Sequence, residues 1–402
     1  MTLSTLRMLT AGESHGLALT AILEGLPAGI RVSPDDLAHD LARRQGLQEK
    51  SDTPYVGASA RMRIERDRAE ITGGVMAGFT TGAPISLTIA NLDHAKWRGA
   101  STPPLTVPRP GHADLVGAVK YGHDDLRLSL ERASARETAA RVAVGAVCRR
   151  FLDEFGIVVG SYVTAIGGLE CRVPGMPPTE RLEKAERSAL RCPDAAATRA
   201  MEDRIREIAA AHETAGGVFE VLAMGVPPCL GSYESWDRRL DACLAAAIMS
   251  VPAIKGVEIG DGFRLAGLSA TQAQDHLEFA PDGNTVERLS NHAGGLEGGV
   301  TTGEPIVVRA AMKPLATSVK PQRSVDLGRR VDAESAYQRS DVCAVPRAAV
   351  VAEAMMCLVL ADALVRKLGG DSLAEMRPRF DSLPHTRATD LRMRAEPTVY
   401  WE

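Results

Sequence analysis

The strongest constraint on the fold of this chain is an internal repeat. Residues 73–90 (GGVMAGFTTGAPISLTIA) align without gaps to residues 294–311 (GGLEGGVTTGEPIVVRAA), and both contain Thr-Thr-Gly followed by Pro-Ile. Upstream, EGLPAG at 24–29 loosely matches MGVPPC at 224–229. Because the matches keep the same order, they predict a duplicated fold, although Gly-Thr-Thr-Gly alone could be a recurring turn. The predicted repeats cover about residues 5–155 and 215–370.

Helices are predicted at equivalent places in the two halves. A shorter helix follows each upstream match, Pro34–Arg44 and Glu234–Met249, and a long one follows each downstream match, near residues 135–155 and 346–368. The long helices are apolar on nearly every face, so other elements must cover them on all sides. Short β-branched segments bounded by Gly, Pro or Asn can form the covering strands. These segments are ISLTIA (85–90), IVVGSYVTAI (157–166), GVFEVLAMGV (217–226) and EPIVVRAAM (304–312).

We therefore predict an α+β fold in a single domain over residues 1–402. Central helices lie between β-sheets, and each half contributes one helix and one sheet. Residues 178–213, rich in Arg, Glu and Ala, are expected to form an amphipathic helical insertion. Residues 377–402 are polar and contain prolines, and we expect them to form an extended tail.

The composition argues against several classes of protein. A net charge of −4 and a pI of about 6.2 give no basic field for nucleic acid or an anionic membrane. The seven cysteines form no CxxC or Cys/His zinc spacing, which predicts free thiols in a reducing compartment and no metal site. Glu353 and Asp362 interrupt the most apolar stretch, 347–368. The uncharged run between them is far shorter than the roughly 20 residues of a membrane span. Since the N-terminus also lacks a signal-peptide pattern, we expect a cytoplasmic protein.

Two motifs place a histidine in a tight turn. GESHG (12–16) sets Ser14 beside His15 between glycines that allow close approach of a ligand, although a turn with a solvated histidine is an alternative. PRPGHAD (108–114) presents Arg109 on a stiff backbone before His112, which suits an anion clamp beside a general acid. Asp114 could orient the imidazole. The alternative is a Pro-Gly loop that merely carries polar residues.

Charged residues surround the predicted starts of both long helices. In ERASARE (131–137), Ser134 and Glu137 have the spacing of a capping box, and Arg132 and Arg136 flank a helix N-terminus suited to an anion. RSDVCAVP (339–346) places Arg and Asp at the second start, and KPLAT (313–317) offers a lysine and backbone donors that suit a phosphate.

Other basic residues have simpler interpretations. Arg43 and Arg44 end a predicted helix, where cations complement the dipole. The arginines at 61, 63, 66 and 68 could form a solvated face. His123 and His292 lie near the motifs and remain undecided. The other histidines are expected to be structural or exposed: His39, His94, His212, His276 and His385.

Taken together, these motifs resemble the chorismate synthases. The resemblance spans roughly residues 5–375 and keeps the family's order. It rests on GESHG (12–16), RPGHAD (109–114), ERASARETAARVAVGA (131–146), VPAIKGVEIGDGF (251–263), NHAGGLEGG (291–299), MKPLAT (312–317) and QRSDVCAVP (338–346). No single motif is decisive, but seven in sequence are specific.

The resemblance implies a three-layer β-α-β sandwich with an internal pseudo-twofold duplication, assembled as a homotetramer. It implies the trans 1,4-elimination of phosphate from 5-enolpyruvylshikimate 3-phosphate to give chorismate, in the shikimate pathway of aromatic amino-acid biosynthesis. The enzyme would be a carbon–oxygen lyase that requires reduced FMN without net oxidation or reduction. NADPH could supply the reducing equivalents.

The resemblance also assigns residues to roles. Catalytic roles fall on Ser14, His15, His112, Ser134 and Asp341, with His112 near the leaving phosphate, His15 near the flavin and Asp341 a candidate to remove the ring hydrogen. Substrate contacts fall on Arg44, Arg61, Arg109, Arg136 and Arg339. FMN contacts fall on Arg132, Ala133, Ser134, Pro252, Ala253, Gly298, Lys313, Pro314, Leu315, Ala316, Thr317 and Arg339. NADPH contacts would fall on Arg44 and Lys50.

One segment departs from the family pattern. Many members run from RRQG directly into YGRGGRM, whereas residues 46–62 are longer here and place Ala58 where that pattern has arginine. Lys50 or Arg61 could take over anion binding in this loop. Two other functions stay open at this point: an NADPH-dependent flavin reductase and a non-catalytic, anion-binding paralogue.

Overall fold

The computed structural model describes residues 5–46, 55–58, 67–337 and 340–401. The elements of the first part of the chain are β1 (Arg7–Ala11), β2 (Ala18–Glu24), α1 (Pro34–Gln45), β3 (Ala69–Gly73), β4 (Val75–Met76), β5 (Phe79–Thr80), β6 (Ile85–Ala90), α2 (His94–Trp97), α3 (Asp114–Tyr121), α4 (Arg127–Arg132) and α5 (Thr138–Asp153).

The remaining elements follow from residue 158. They are β7 (Val158–Ile166), β8 (Leu169–Glu170), α6 (Pro178–Arg187), α7 (Ala195–Ala210), β9 (Gly217–Met224), α8 (Leu240–Met249), β10 (Ile254–Ile259), α9 (Ala270–Ala273), β11 (Leu277–Phe279), β12 (Val286–Arg288), β13 (Leu296–Glu297), β14 (Val300–Thr301), β15 (Ile306–Met312), β16 (Arg323–Asp326), β17 (Val331–Glu334), α10 (Val345–Leu368) and α11 (Leu373–Asp381). The insertion predicted at 178–213 forms α6 and α7.

The first sheet contains four antiparallel strands in the order β1-β2-β6-β3. In central strand β6, Leu87 pairs with Ala21 of β2 on one side and with Ile71 of β3 on the other. Ile85, Leu87 and Ile89 are buried, whereas the residues between them are not. This period of two is typical of a sheet with one face against the core.

The second sheet repeats this order. Its strands run β10-β15-β9-β7, with β8 added at the edge, so β7, β9, β15 and β10 take the places of β1, β2, β6 and β3. Ile306 and Val308 of β15 are buried like their counterparts in β6. The second repeat thus begins at β7 rather than at residue 215. The sequence match misses this strand because the helical insertion separates it from β9.

The Thr-Thr-Gly segments make equivalent contacts in the two halves. The Thr80 hydroxyl donates to Pro27 O at 2.7 Å and accepts from the Ile30 N–H at 2.9 Å. Correspondingly, the Thr301 hydroxyl donates to Pro227 O at 2.7 Å and accepts from the Leu230 N–H at 2.8 Å. Each buried hydroxyl fixes the loop between a strand and the next helix. The repeat therefore preserves a tertiary contact and is more than a recurring turn.

Helices α5 and α10 form the middle layer between the sheets. Helix α5 packs on β2 and β6, and α10 packs on β7 and β9. Where they cross, a Cβ on Gly145 would lie only 2.3 Å from the Cβ of Ala354, so glycine is required for this approach. Among the described residues, α10 is the one helix long and apolar enough to cross a membrane, and it is buried inside the molecule. This arrangement confirms the predicted three-layer β-α-β fold.

A cluster of charged side chains is buried in the helical layer. The carboxylate of Glu353, which has no exposed surface, lies 2.8 Å from Arg43 of α1, 2.8 Å from Arg149 of α5 and 3.0 Å from Arg191. The Ser161 hydroxyl donates to it at 2.5 Å. Since Arg191 lies between α6 and α7, the cluster ties the insertion to the central helices. Arg43 lies in the last turn of α1, where it was expected to complement the helix dipole, and its side chain is also largely buried in this cluster.

The helix predicted from Glu234 begins later, at Leu240. The Ser235 hydroxyl binds the Asp237 carboxylate at 2.6 Å, next to a short 3₁₀ turn over Trp236–Arg238. Such local side-chain hydrogen bonds compete with helix formation, which explains the later start.

The extended tail predicted from Arg377 begins instead after Asp381. Its first five residues belong to α11, which Ser372 caps. This helix is held in place because Met376 is buried and the Phe380 ring lies 4.9 Å from that of Phe155. The packing of these two apolar side chains is therefore the reason that the tail begins later than predicted.

Candidate active site

The GESHG motif forms a tight turn after β1. Gly12 has φ 105°, and a Cβ there would lie 2.3 Å from Ala18 O. The turn places His15 Nδ1 2.8 Å from Oε1 of Glu131, while the His15 N–H donates to Oε2 at 2.9 Å. The imidazole packs against Trp97 with ring centroids 4.5 Å apart. His15 is therefore an oriented histidine rather than a solvated one.

Glu131 is the carboxylate partner of this histidine. Burial raises its pKa, but the hydrogen bonds from His15 outweigh burial and lower the pKa of Glu131 below its usual value. Glu131 therefore stays ionised and fixes the orientation of the imidazole. Glu131 lies in a motif of the sequence analysis but had no role there.

Two serine hydroxyls meet beside this pair. Ser134 Oγ lies 3.2 Å from Ser14 Oγ, and it accepts from the Arg136 N–H at 3.3 Å. The predicted capping box is wrong, because the Glu137 carboxylate binds the Thr10 hydroxyl and Arg141 instead of the cap backbone. Ser134 still caps a short 3₁₀ turn over Ala135–Glu137. Its hydroxyl is therefore part of the same cluster as Ser14.

Arg44 and Arg136 converge on one buried carboxylate, that of Asp67. Arg44 Nη1 lies 3.1 Å from Asp67 Oδ2, and Arg136 Nη1 contacts Oδ1. Arg136 also donates to the Asn91 amide oxygen at 2.8 Å, and the Asn91 amide donates to the carbonyls of Glu13 and Gly16. Asn91 thereby connects the arginine pair to the GESHG turn.

Burial dominates the electrostatics of Arg44. Burial, together with repulsion from Arg347 and Arg136, lowers the pKa of Arg44 to about 9. Attraction to Asp67 only partly offsets this decrease. Two cations held this close in the interior favour an anionic ligand. Asp67 and Asn91 were missed in the sequence because neither belongs to a motif and only the fold brings them here.

Asp341 lies at the start of α10, next to the end of α1. Its Oδ2 accepts from Arg347 Nη1 at 2.5 Å, and Arg347 Nε donates to the backbone carbonyl of Arg44 at 2.9 Å. The Tyr55 hydroxyl donates to Cys343 O at 2.7 Å, and burial raises the pKa of Tyr55 well above its usual value. Asp341 is thus fixed within reach of the arginine pair. Arg347 is a further residue that the sequence analysis did not single out.

The RPGHAD loop forms a compact triad. Asp114 Oδ1 lies 2.6 Å from His112 Nδ1, and Oδ2 accepts from Arg109 Nε at 2.8 Å. Burial raises the pKa of Asp114, but the hydrogen bonds from His112 and Arg109 lower it far below its usual range. The predicted orientation of His112 by Asp114 is confirmed. The His112 side chain remains 22% exposed, so its imidazole can reach a ligand.

The segments assigned to a flavin meet this loop. Lys313 Nζ donates to Gly111 O at 2.7 Å, and the Lys313 N–H donates to Ala253 O at 3.0 Å. Ala253 has the left-handed φ of 68°. The Ser340 hydroxyl donates to Thr317 O at 2.8 Å, which joins the 313–317 segment to the start of α10.

Hydrogen bonds and short stretches of backbone together link both histidine motifs. From Gly111, next to His112, the link passes through Lys313 and the 313–317 segment to Ser340 and its neighbour Asp341. It continues through Arg347, Arg44, Asp67 and Arg136 to Ser134 and to Ser14, the neighbour of His15. These residues come from both halves of the chain.

Some predicted residues lie elsewhere. Gly298 lies in the β13–β14 hairpin, whose Gly299 carbonyl accepts from Leu240 at the start of α8, whereas Ala253 follows the other end of α8. Within one chain Gly298 and Ala253 thus lie near opposite ends of this ten-residue helix, which is about 15 Å long. Arg61, Arg339 and Lys50 lie outside the described residues.

The histidines without a role also have clear places. His94, expected to be structural or exposed, contacts the His15 carbonyl through Nδ1 at 3.0 Å. His123 contacts the Ser129 hydroxyl at 2.9 Å, and His292 contacts Asp261 at 2.8 Å. A separate cavity of about 180 Å³ at the far end of α10, beside Arg238 and Arg366, is lined by none of those predicted site residues that the structure describes.

The geometry can bind a ligand with several negative charges and transfer protons to or from it. Convergent guanidinium groups supply the binding, and two carboxylate-oriented imidazoles supply the proton chemistry. The fold is that of a duplicated β-α-β protein, and this candidate site lies where its central helices begin.

Comparison with known proteins gives the family. A sequence profile described as chorismate synthase matches residues 6–365. Chorismate synthases from Aquifex aeolicus and Parafrankia sp. are 49% and 50% identical, covering 95% and 93% of this chain and 98% and 97% of theirs. A crystal structure of chorismate synthase superimposes with a TM-score of 0.76 at 44% identity, covering 94% of this chain and 97% of the other. The chain belongs to the chorismate synthase family and is an enzyme of that kind, which supports the predicted function over the alternatives.

Proposed function

We propose that the chain catalyses the trans 1,4-elimination of phosphate from 5-enolpyruvylshikimate 3-phosphate to give chorismate, as a carbon–oxygen lyase. The observation that carries this proposal is the convergence of Arg44 and Arg136 on Asp67, beside the Ser14–Ser134 hydroxyl pair. The substrate carries two carboxylates and a phosphate, so it requires several buried guanidinium groups. Arg109, and Arg61 and Arg339 by resemblance, would complete the set.

Reduced FMN fits the residues present. Lys313 and the 43%-exposed Arg132 offer cations for its phosphate, and Ser14 and Ser134 offer hydroxyls. The segments that would hold the flavin are Arg132–Ser134, Pro252–Ala253 and Lys313–Thr317, with Arg339 as a further contact; Gly298 of the same chain lies at the opposite end of α8 from Ala253. When bound, reduced FMN supplies an electron-rich ring that makes the departure of phosphate easier without net redox change.

The chain's own residues supply the proton chemistry. As the C–O bond between the ring carbon and the phosphate oxygen breaks, His112, which Asp114 orients, donates a proton or a hydrogen bond to the leaving phosphate. Asp341, held by Arg347, is a candidate to accept the proton lost when the ring C–H bond breaks. His15, held by Glu131, fixes the protonation state near the flavin. The proton that Asp341 accepts replaces the one that His112 gives to phosphate, so the products are chorismate and phosphate alone.

The cellular setting follows the family. We propose a cytoplasmic homotetramer that acts in aromatic amino-acid biosynthesis and binds neither nucleic acid nor membrane. NADPH could supply the reducing equivalents, with Arg44 and Lys50 as contacts.

A phosphate-release assay tests the proposed reaction. The protein is mixed anaerobically with 5-enolpyruvylshikimate 3-phosphate and dithionite-reduced FMN. We expect phosphate and chorismate in equal amounts, and no turnover when FMN stays oxidised. Absence of phosphate release with reduced FMN would contradict the proposal. In a parallel sample with FMN and NADPH alone, rapid bleaching of the flavin would indicate an additional reductase activity.

A further inference from the structure

Two arginines of the central helices make equivalent contacts in the two halves. Arg347, the third residue of α10, pairs through Nη1 with Asp341 just before its own helix and donates through Nε to Arg44 O at the end of α1. Arg141, the fourth residue of α5, pairs through Nε with Glu137 at 2.9 Å and donates through Nη1 to the carbonyl of Ser250 at 3.2 Å. Ser250 is the residue that ends α8.

Each arginine therefore crosses from one half of the molecule to the other. Arg141 lies on α5 of the first repeat and contacts the end of α8 in the second repeat. Arg347 lies on α10 of the second repeat and contacts the end of α1 in the first repeat. The last carbonyls of a helix lack partners within that helix and carry negative partial charge, so a guanidinium is a suitable partner for them. Both arginines are mostly buried, with side chains 18% and 14% exposed for Arg141 and Arg347.

The groups held by the two arginines differ. Arg347 fixes Asp341 and the backbone of Arg44, which belong to the proposed substrate side of the site. Arg141 fixes the end of α8, two residues before Pro252–Ala253, and Glu137, whose carboxylate also binds the Thr10 hydroxyl at 2.6 Å. Arg132 donates to the same Thr10 hydroxyl at 3.0 Å. Arg141 therefore braces segments on the proposed flavin side.

We infer that Arg347 and Arg141 are positioning residues with separate tasks: Arg347 sets the geometry of the substrate groups, and Arg141 sets that of the flavin groups. This inference rests on the proposed function for its kinetic consequences. Bidentate guanidinium geometry is essential to it, because Nε and Nη1 point to two different acceptors, whereas a lysine offers a single nitrogen.

Arginine-to-lysine substitutions test the inference because they retain charge and remove the bridge. For R347K we expect kcat to fall about 10-fold or more, with the Kd for oxidised FMN within about twofold of wild type. For R141K we expect the Kd for FMN, measured by quenching of flavin fluorescence, to rise about 10-fold, with kcat at saturating flavin within about threefold. R149K is the matched control, because Arg149 also bridges two carboxylates of other helices, Asp40 and Glu353, and itself contacts none of the segments that Arg347 and Arg141 hold.

Hydrogen exchange provides a readout that needs no turnover. R347K should accelerate exchange in both 44–46 and 340–345, R141K should accelerate it in 137–138 and 250–254, and R149K should do neither. Unchanged exchange in these segments, or a change in only one segment of a pair, refutes the bridging role. The separate tasks are refuted if R347K and R149K lose kcat equally. They are also refuted if R347K and R141K change kcat and the Kd for FMN in the same way. If wild-type protein released no phosphate, the proposed function would fail, but exchange and FMN affinity would still decide the inference.

Discussion

Replacing Asp114 by asparagine tests the role of the RPGHAD triad. The Asp114 carboxylate accepts from Arg109 N, Nε and Nη2 at 3.1, 2.8 and 3.0 Å, and its Oδ1 lies 2.6 Å from His112 Nδ1. Asparagine retains one acceptor oxygen and turns an N–H₂ group toward either His112 or Arg109. At least one buried donor then loses its acceptor, which costs about 1–3 kcal/mol of stability.

The effect on turnover follows from the state of the imidazole. Without the carboxylate, the His112 ring loses the acceptor that fixes its orientation. If His112 acts as a general acid, kcat should fall about 100- to 10,000-fold, the usual contribution of such a group. The assay is anaerobic phosphate release with reduced FMN. Asp282→Asn is a suitable control, because Asp282 also accepts several hydrogen bonds but lies in the turn between β11 and β12.

The pH dependence of stability gives an independent check. The pKa of Asp114 is lowered in the folded protein, so its stabilising contribution is full above the unfolded value near 4 and is lost as the pH falls through the folded value. The stability difference between wild type and D114N should therefore be constant near neutral pH and shrink below about pH 4. A D114N variant with kcat within about twofold of wild type, and a stability difference independent of pH, would refute the reasoning.

Three further substitutions probe other parts of the molecule. His112→Ala should retain FMN binding and lose about 100- to 10,000-fold in turnover, and a loss of twofold or less would exclude His112 as the acid. Ser134→Ala should weaken FMN binding, measured by flavin fluorescence, and lower the free energy of unfolding by about 1 kcal/mol through loss of the cap; unchanged FMN affinity would remove Ser134 from the cofactor site. Glu353→Gln should cost about 3–5 kcal/mol in denaturant unfolding, because three arginines lose their shared buried partner. The exposed Glu207→Gln should cost less than about 1 kcal/mol, and equal costs would refute the importance of burial.

Periodicity and repetition in the sequence predicted the layers of the fold. The apolar central helices and the β-branched strands appear where the patterns placed them, because a helix apolar on all faces has no stable position except between other elements. The missed features depend on local competition. Because of the Ser235–Asp237 contact, α8 begins later in the chain than predicted. The packing of Met376 and Phe380 extends α11 into the predicted tail.

The site was predictable only where its residues lie in compact motifs. His15, His112 and Ser134 sit in Gly- or Ser-rich turns whose chemistry can be inferred from neighbouring residues. Asp67, Asn91 and Arg347 lie outside such turns, and each acts on a partner far away in the sequence. Asp67 is 69 residues from Arg136, and Arg347 is 303 residues from Arg44. No local pattern can reveal such pairs, and only the duplicated fold brings them together.

The duplication also explains how one framework can hold two different ligands. Both halves place the start of a central helix beside the end of a shorter helix from the other half, and both join them with an arginine–carboxylate pair. These two helix contacts, or junctions, differ in the residues beside them. One lies next to Arg44 and Asp341, and the other lies next to Pro252–Ala253. Since each junction has its own arginine, a change at one can alter the binding of one ligand while the shared helical layer stays intact. A symmetric scaffold with two separately braced junctions is therefore suited to a reaction that must align an anionic substrate with a distinct cofactor.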